Sequence, residues 1–335
     1  MLLKNQRMEG VSMNRLLELK NKVLSGDLLE KSEALELLEM PLEDLCEAAN
    51  ALRLHFCGNA FDICTIINGK SGKCSENCKY CAQSAFYETP VEEYPLLDTD
   101  TIVKQAQYNE KRGVLRFSIV TSGKKLSDEE IELICSSSKA IQETSPIKVC
   151  ASLGLLDEGA FAKLKAAGIN RVHNNLETSK RNFPNVCTTH TFEDKIAAIK
   201  AAQKAGLNVC SGGIMGLGET MEDRIDMVLT IRDLGIRSIP VNMLNPIPGT
   251  PYENNPLLTN DKMRRIVAIF RFLVPNASIR LAGGRGLLSD KGRLCFQSGA
   301  NAAISGDMLT TTGITIEQDM KMLDELGFIP SLWNK

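Results

Sequence analysis

The stretch VLRFSIVTSGKKLSDEEIELICSSSKAIQETSPIKVCASL (114–153) decides the fold class. Its ends, VLRFSIV (114–120) and IKVCASL (147–153), are short, apolar and rich in β-branched residues, whereas 126–143 between them has helical spacing of its apolar positions. Strand, amphipathic helix and strand in that order predict a parallel crossover unit. The alternation continues on both sides. DICTIIN (62–68), NRVHNN (170–175), LNVCSGGI (207–214), SIPVNML (238–244), ASIRLAG (277–283) and NAAISG (301–306) read as strands. The segments 100–112, 157–167, 192–205, 220–234, 260–273, 287–299 and 315–326 read as helices. Gly113, Gly168, Gly206 and Gly235 stand where helices end and a positive φ is wanted. Eight strands with their helices predict an α/β protein, a (β/α)8 TIM-type barrel over 59–335. Before it, Leu16, Leu17 and Leu19, SEALELLEM (32–40) and LEDLCEAANALRLHF (42–56) predict a helical extension over 1–58.

Composition narrows the function. The 335 residues carry 39 basic and 41 acidic side chains, a formal charge of −2, which favours neither nucleic acid nor an anionic membrane as partner. No apolar run approaches the roughly 20 residues a bilayer requires. MLLKNQRMEGVSMNRLLELKNKVL (1–24) lacks the apolar core of a signal peptide, so a cytoplasmic location is expected. Cysteine is the unusual feature. There are 11, an odd number in a chain without an export signal, which points to metal or chemistry rather than disulfides.

Seven of the eight predicted strands carry polar or sulfur residues of one parity: Cys64; Arg116 and Ser118; Lys148, Cys150 and Ser152; His173, Asn175 and, just beyond the strand, Glu177; Cys210; Ser238 and Asn242; Arg280. Barrel interiors are usually bulky and branched. Polar groups buried without partners cost a few kcal/mol each, so these residues are expected to line a cavity filled by something polar. Just after the first strand, KSGKCSENCKYCAQS (70–84) holds C-x-x-x-C-x-x-C at Cys74, Cys78 and Cys81. Three close thiolates with no fourth Cys or His at paired spacing suit three corners of an iron–sulfur cubane better than zinc, leaving one iron open.

The triplet with Tyr80 before its last cysteine resembles the signature of the radical S-adenosylmethionine (SAM) superfamily. IKVCASLGLL (147–156), HNNLETS (173–179), NVCSGGIMGLGET (208–220), PVNMLNPIPGTP (240–251), IRLAGGR (279–285) and GANAAISGD (299–307) are similar, in order, to the biotin synthase family. About 240–330 resembles the region associated with biotin and thiamin synthesis. The resemblance implies a [4Fe–4S] cluster on Cys74, Cys78 and Cys81. It implies that SAM is cleaved there to a 5′-deoxyadenosyl radical, and that sulfur is inserted into dethiobiotin to give biotin. It also implies a flavodoxin or ferredoxin electron donor and a homodimer. It places Tyr80, Asn175, Glu177, Gly212, Gly213, Ile214 and Glu219 beside SAM, and Asn175 and Asn242 beside substrate. Glu177 stands where the family usually has aspartate.

The family's auxiliary [2Fe–2S] cluster is held by three cysteines and an arginine. Cys150, Cys210 and Arg280 match three of these positions; the fourth falls on Ser118, a poor substitute for thiolate. Cys64, inward by parity on the neighbouring strand, offers the missing sulfur. The expectation is an auxiliary cluster on Cys64, Cys150 and Cys210, of [4Fe–4S] type with an extra sulfide. Arg280 and Arg116 would balance its charge, with Ser118 and Ser238 beside it. Cys57 is a reserve ligand, Cys187 a loop residue, and His55 and His190 are expected to lack metal-ligand partners. Rival functions are a hydrogenase maturase or methylornithine synthase of similar barrel, and a non-catalytic iron–sulfur electron carrier. None of these needs Cys150, Cys210 and Arg280 facing inward together.

Overall fold

The structure, a computed structural model, describes residues 2–311 and 313–333, with side chains from residue 13. Three helices open the chain: Leu2–Leu24, Lys31–Glu36 and Leu42–Cys57. Leu16, Leu19 and Val23, then Leu45, Ala49 and Leu52, recur every three or four residues and are buried. They dock this segment on the helix Asn260–Leu273, and Arg264 clasps Glu43 at the seam. Leu17 of the expected stripe points outward instead and is half exposed.

The strands are β1 (Ala60–Lys70), β2 (Arg116–Thr121), β3 (Lys148–Ser152), β4 (Arg171–His173), β5 (Asn208–Cys210), β6 (Gly213–Met215), β7 (Ser238–Met243), β8 (Ser278–Leu281), β9 (Ala302–Ser305) and β10 (Ile329–Pro330). Parallel pairing runs β5-β4-β3-β2-β1-β9-β8-β7-β6, and β10 extends the start of β1. The two ends of this path, β5 and β6, are halves of one stretch of chain separated by Ser211 and Gly212. The fifth strand, expected as continuous over 207–214, is therefore kinked. Its first half pairs with β4 and its second half with β7, and Ser211 N donates to Ser238 O at 3.0 Å across the join. The ring closes through this kink.

Glycine permits it. A Cβ on Gly212 would lie 1.9 Å from Pro240 O, and one on Gly213 would lie 2.4 Å from both Glu177 O and Met227 Sδ. Gly213→Ala is expected to cost at least about 3 kcal/mol, the upper end for overpacking, because a backbone carbonyl cannot turn aside. A thermal midpoint within 1 °C of the parent would contradict this tight passage.

The outer helices start with side-chain caps, among them reciprocal boxes at Ser127/Glu130, Thr191/Asp194, Thr220/Asp223 and Thr315/Gln318. Gly113, Gly168, Gly206 and Gly235 all have positive φ after helices, as their positions imply. The helix expected over 287–299 is not formed. Only single turns at Arg285–Leu287 and Arg293–Phe296 remain, because Lys291 and Gly292 have φ of 56° and 88° and reverse the chain between them. No helix among the described residues is long and apolar enough to cross a membrane.

Candidate functional site

Beyond β1 the chain turns through Gly72 and Lys73, both at positive φ, and enters the cysteine loop. Cys74 N donates to Gln83 O (2.9 Å) and Ala85 N to Cys74 O (2.8 Å), which closes the loop into a ring around Cys78 and Cys81. The loop is braced from outside. Tyr87 Oη donates to Asn77 O, Ser84 Oγ to Glu76 O, and Lys79 N to Val186 O. Of the 11 cysteines, Cys74, Cys78 and Cys81 alone are partly exposed. Their ligand atoms do not all lie within 4.8 Å of one another. Thiolates on one tetrahedral zinc lie about 3.8 Å apart, from two 2.3 Å bonds. The looser triplet is suited to a multi-iron group rather than a single ion.

Beside the loop, at the carboxyl ends of the strands, lies a cavity of about 250 Å³. Tyr80, Ser118, His173, Asn175, Ile214 and Asn242 line it. Ser118 Oγ, His173 Nε2 and Glu177 Oε2 are buried and lack hydrogen-bond partners. Such orphaned atoms fit a site built for a polar guest. Glu177 itself sits at φ 68°, a strained conformation for a non-glycine residue, while its backbone pairs with Gly212 and Ile214. Burial raises its carboxyl above the ordinary range, with Lys195 and the Tyr80 hydroxyl opposing. The Tyr80 phenol is pushed up by burial first and by the Glu177 charge second.

The other expected cofactor residues are partly spent on the fold. Asn175 Oδ1 accepts from Gly212 N, and Asn242 ties Gly213 O to Gly283 N. Glu219 turns back into its own loop. It accepts from Gly216 N and forms a buried ion pair with Arg224 at 2.6 Å. Glu219, expected beside SAM, thereby also braces the 212–219 segment, while its Oε2 has no hydrogen-bond partner.

Deeper in the barrel the structure gathers Cys64, Cys150, Cys210 and Arg280, all at most 1% exposed. Cys210 Sγ is 3.1 Å from Ser238 Oγ. Burial works against the Arg280 charge, and Asp62 first, then its neighbours Cys64 and Cys210, outweigh it. Burial raises the Cys64 thiol, with Arg280 opposing. For Cys150 the same burial is outweighed by His173, Arg116 and Arg171, and its thiol is lowered. Cys64 and Cys150 also interact with each other. Cys64, Cys150 and Cys210 are likewise not all within 4.8 Å of one another.

Two charged residues of this interior escaped the sequence reading. Asp62 is fully buried and meets Arg116 at 3.0 Å, Arg280 at 3.3 Å and Arg171 at 3.9 Å. Asp62 and Arg171 share the inward parity already noted for their strands, which is the signal that would have found them. Lys148, expected inside, is exposed at the barrel's lower rim. Three guanidiniums face one carboxylate. An excess of positive charge in a closed interior asks for an anion. A cluster bound by thiolates is such an anion.

Residues 70–231 match the Radical SAM superfamily, and 240–329 match the Biotin and Thiamin Synthesis associated domain. The biotin synthase of Brachyspira hyodysenteriae is 61% identical over 311 residues, 93% of either chain. That of Akkermansia muciniphila is 60% identical over 92% of this chain and 96% of its own.

The chain belongs to the biotin synthase family.

As a radical SAM family, biotin synthases use S-adenosylmethionine, a [4Fe–4S] cluster and an auxiliary cluster, and the donor set described above fits these groups. The fold is shared more widely. Methylornithine synthase superposes with a TM-score of 0.81 over 94% of this chain at 20% identity. A maturase of the [FeFe]-hydrogenase gives 0.81 over 98% at 18%. These shared barrels carry no functional argument at such identity.

The remaining cysteines also find places. Cys57 ends the helix Leu42–Cys57, where Arg271 Nη1 donates to it at 3.4 Å; this reserve ligand is part of a structural network. His190, expected to lack partners, has them: Nδ1 lies 2.5 Å from Glu76 Oε2 and 3.3 Å from Cys187 Sγ.

Proposed function

We propose that this chain converts dethiobiotin to biotin, with Cys74, Cys78 and Cys81 holding the SAM-cleaving [4Fe–4S] cluster and Cys64, Cys150 and Cys210 holding an auxiliary cluster beside Arg280. When bound, the first group supplies the electron that breaks SAM and the second supplies the sulfur. The barrel's own residues do the rest. Tyr80, Asn175, Glu177 and Ile214 position SAM at the mouth, where Gly212 and Gly213 allow close backbone approach. Asn242 fixes the wall between strands against which substrate lies. Asp62, Arg116, Arg171 and Arg280 set the charge of the floor. Ser118 and Ser238 stand beside the sulfur source.

The observation that carries this reading beyond the family name is the interior itself: three buried thiols around an excess of guanidinium charge. A non-catalytic electron carrier has no use for it. The test is anaerobic reconstitution with iron and sulfide, followed by dethiobiotin turnover. Biotin with about two 5′-deoxyadenosines released per product is expected. SAM cleavage that leaves dethiobiotin unchanged would defeat the proposal.

Glu177 provides a sharper check. Loss of a charge-assisted hydrogen bond costs about 1.5–3 kcal/mol, so Glu177→Gln is expected to weaken SAM binding roughly tenfold or more. Stability should move the other way. A carboxyl whose folded pKa is raised works against the fold once pH exceeds the ordinary carboxylate range. At neutral pH the Gln variant should therefore melt no lower than the parent, and its advantage should vanish under acid. A lower midpoint at pH 7 with unaltered SAM affinity would contradict both statements.

A further inference from the structure

Outside the cavity, the segment 187–190 is clasped to the cysteine loop. Asn77 Oδ1 accepts from Thr188 N and Thr189 N, and Asn77 Nδ2 donates to Thr188 Oγ1. The clasp brings Cys187 and His190 against Cys78. Among the described residues, Cys78, Cys187 and His190 form the one group of three metal-ligating side chains whose donor atoms all lie within 4.8 Å of one another. Cys187 and His190 are buried, and Cys78 is partly exposed. Glu76 Oε2 is 2.5 Å from His190 Nδ1 and also accepts from Thr189 Oγ1 at 2.8 Å, so a buried carboxylate already holds the imidazole in place.

This geometry differs in kind from that of the triplet. Ligands of one tetrahedral ion must be nearly in contact, whereas ligands on different irons of a cluster must stand apart. Cys78 thus belongs to two sets at once: the open triplet with Cys74 and Cys81, and a compact S₂N set with Cys187 and His190. We propose that Cys78, Cys187 and His190, with Glu76 holding the imidazole in place, form a mononuclear site for a thiophilic divalent cation, Fe²⁺ or Zn²⁺, in the cluster-free chain. Two thiolates and an imidazole, with a fourth position open, suit either ion. Occupation of this site and of the triplet cluster exclude each other, because both need the Cys78 thiolate. An ion there keeps the 187–190 clasp shut and Cys78 reduced until a cluster takes its place.

The exclusion rests on the reading of Cys78 as a cluster ligand; binding of the single ion does not. Co²⁺ is the probe, added anaerobically to the full chain stripped of iron and zinc. Thiolate charge-transfer absorption and tetrahedral d–d bands at one equivalent are expected. Cys187→Ser and His190→Ala should lose them, and Glu76→Gln should weaken binding by about tenfold or more. Cys74→Ser and Cys150→Ser should keep them. A second measurement covers folding defects: Zn²⁺ should slow cluster reconstitution in the parent but not in Cys187→Ser, whose cluster should still form. Metal analysis of the cluster-free chain as purified tells iron from zinc. Cobalt bands that survive in Cys187→Ser and vanish in Cys74→Ser would overturn the site. So would equal zinc inhibition of parent and Cys187→Ser, provided both bind the cluster. If instead the cobalt site behaves as described while Cys78→Ser still forms a complete triplet cluster, only the exclusion, and with it the cluster assignment of Cys78, fails.

Discussion

Cys64→Ser is expected to abolish biotin formation and to strip the auxiliary iron, while the cluster on Cys74, Cys78 and Cys81 forms and SAM is still cleaved. The reason is positional. Cys64 is opposite Arg116 on β2 and Ile304 on β9, with its sulfur in the interior that Cys150, Cys210 and Arg280 share. Ser118, one residue pair farther along β2, has a buried hydroxyl without a partner. A hydroxyl there would be a weak ligand compared with a thiolate. Changes that merely support a metal ligand cost about 10–100-fold, so removing a ligand should lower product formation by more than about 100-fold. Iron and labile sulfide per chain should fall to the content of one cluster. Serine is nearly isosteric with cysteine, so the fold is not at risk, and Cys46→Ser, a buried thiol outside the interior, serves as control. Ser118→Cys in the Cys64→Ser background should restore auxiliary iron, since it returns a thiolate to a neighbouring inward position. Unchanged iron in Cys64→Ser would remove Cys64 from the ligand set.

The second large effect concerns stability. Asp62→Asn is expected to destabilise the cluster-free chain by about 3–5 kcal/mol, the cost of breaking a buried ion pair from one side. Asp62 is the carboxylate that Arg116, Arg171 and Arg280 converge on, and it is fully buried. The guanidiniums keep other partners: Arg280 donates to Asp62 O and Ala303 O, and Arg116 to Asn170 Oδ1. Those bonds survive the substitution and hold the loss within that range. Equilibrium urea unfolding of the cluster-free chain gives the figure. With the auxiliary cluster in place the loss should shrink, because an anionic group then balances the same arginines. A change below about 0.5 kcal/mol, the usual scale of surface substitutions, would mean that the four residues do not act as one network.

Much of this protein could be read from the chain in order. Apolar runs of strand length alternate with helical periodicity, and period alone distinguishes the two, so seven of the outer helices and eight strands were expected, apart from the break at Ser211 and Gly212 in the fifth and the short β10. The glycines closing four helices were equally plain, because positive φ excludes most other residues. The cysteine triplet was legible because its members are neighbours in sequence. Inward parity on each strand was legible too, and it led to Cys64, Cys150, Cys210 and Arg280 before any contact was known.

What the sequence could not determine lies where two distant segments meet. The kink in the fifth strand depends on Pro240 O and Glu177 O approaching Gly212 and Gly213, and neither carbonyl is visible from local pattern. The failed helix at 287–299 has acceptable periodicity, but Lys291 and Gly292 reverse the backbone. Asp62 looked like the polar start of a strand until three arginines from β2, β4 and β8 closed around it. Cys187 looked like a loop residue and His190 like a histidine without metal-ligand partners until Asn77, 110 positions before Cys187, clasped their segment against Cys78. Sequence determined which residues share a face, since periodicity is a property of neighbouring dihedrals. Only the closed barrel decided which faces meet, since a buried charge or a metal ligand is defined by partners that the chain brings together from far apart.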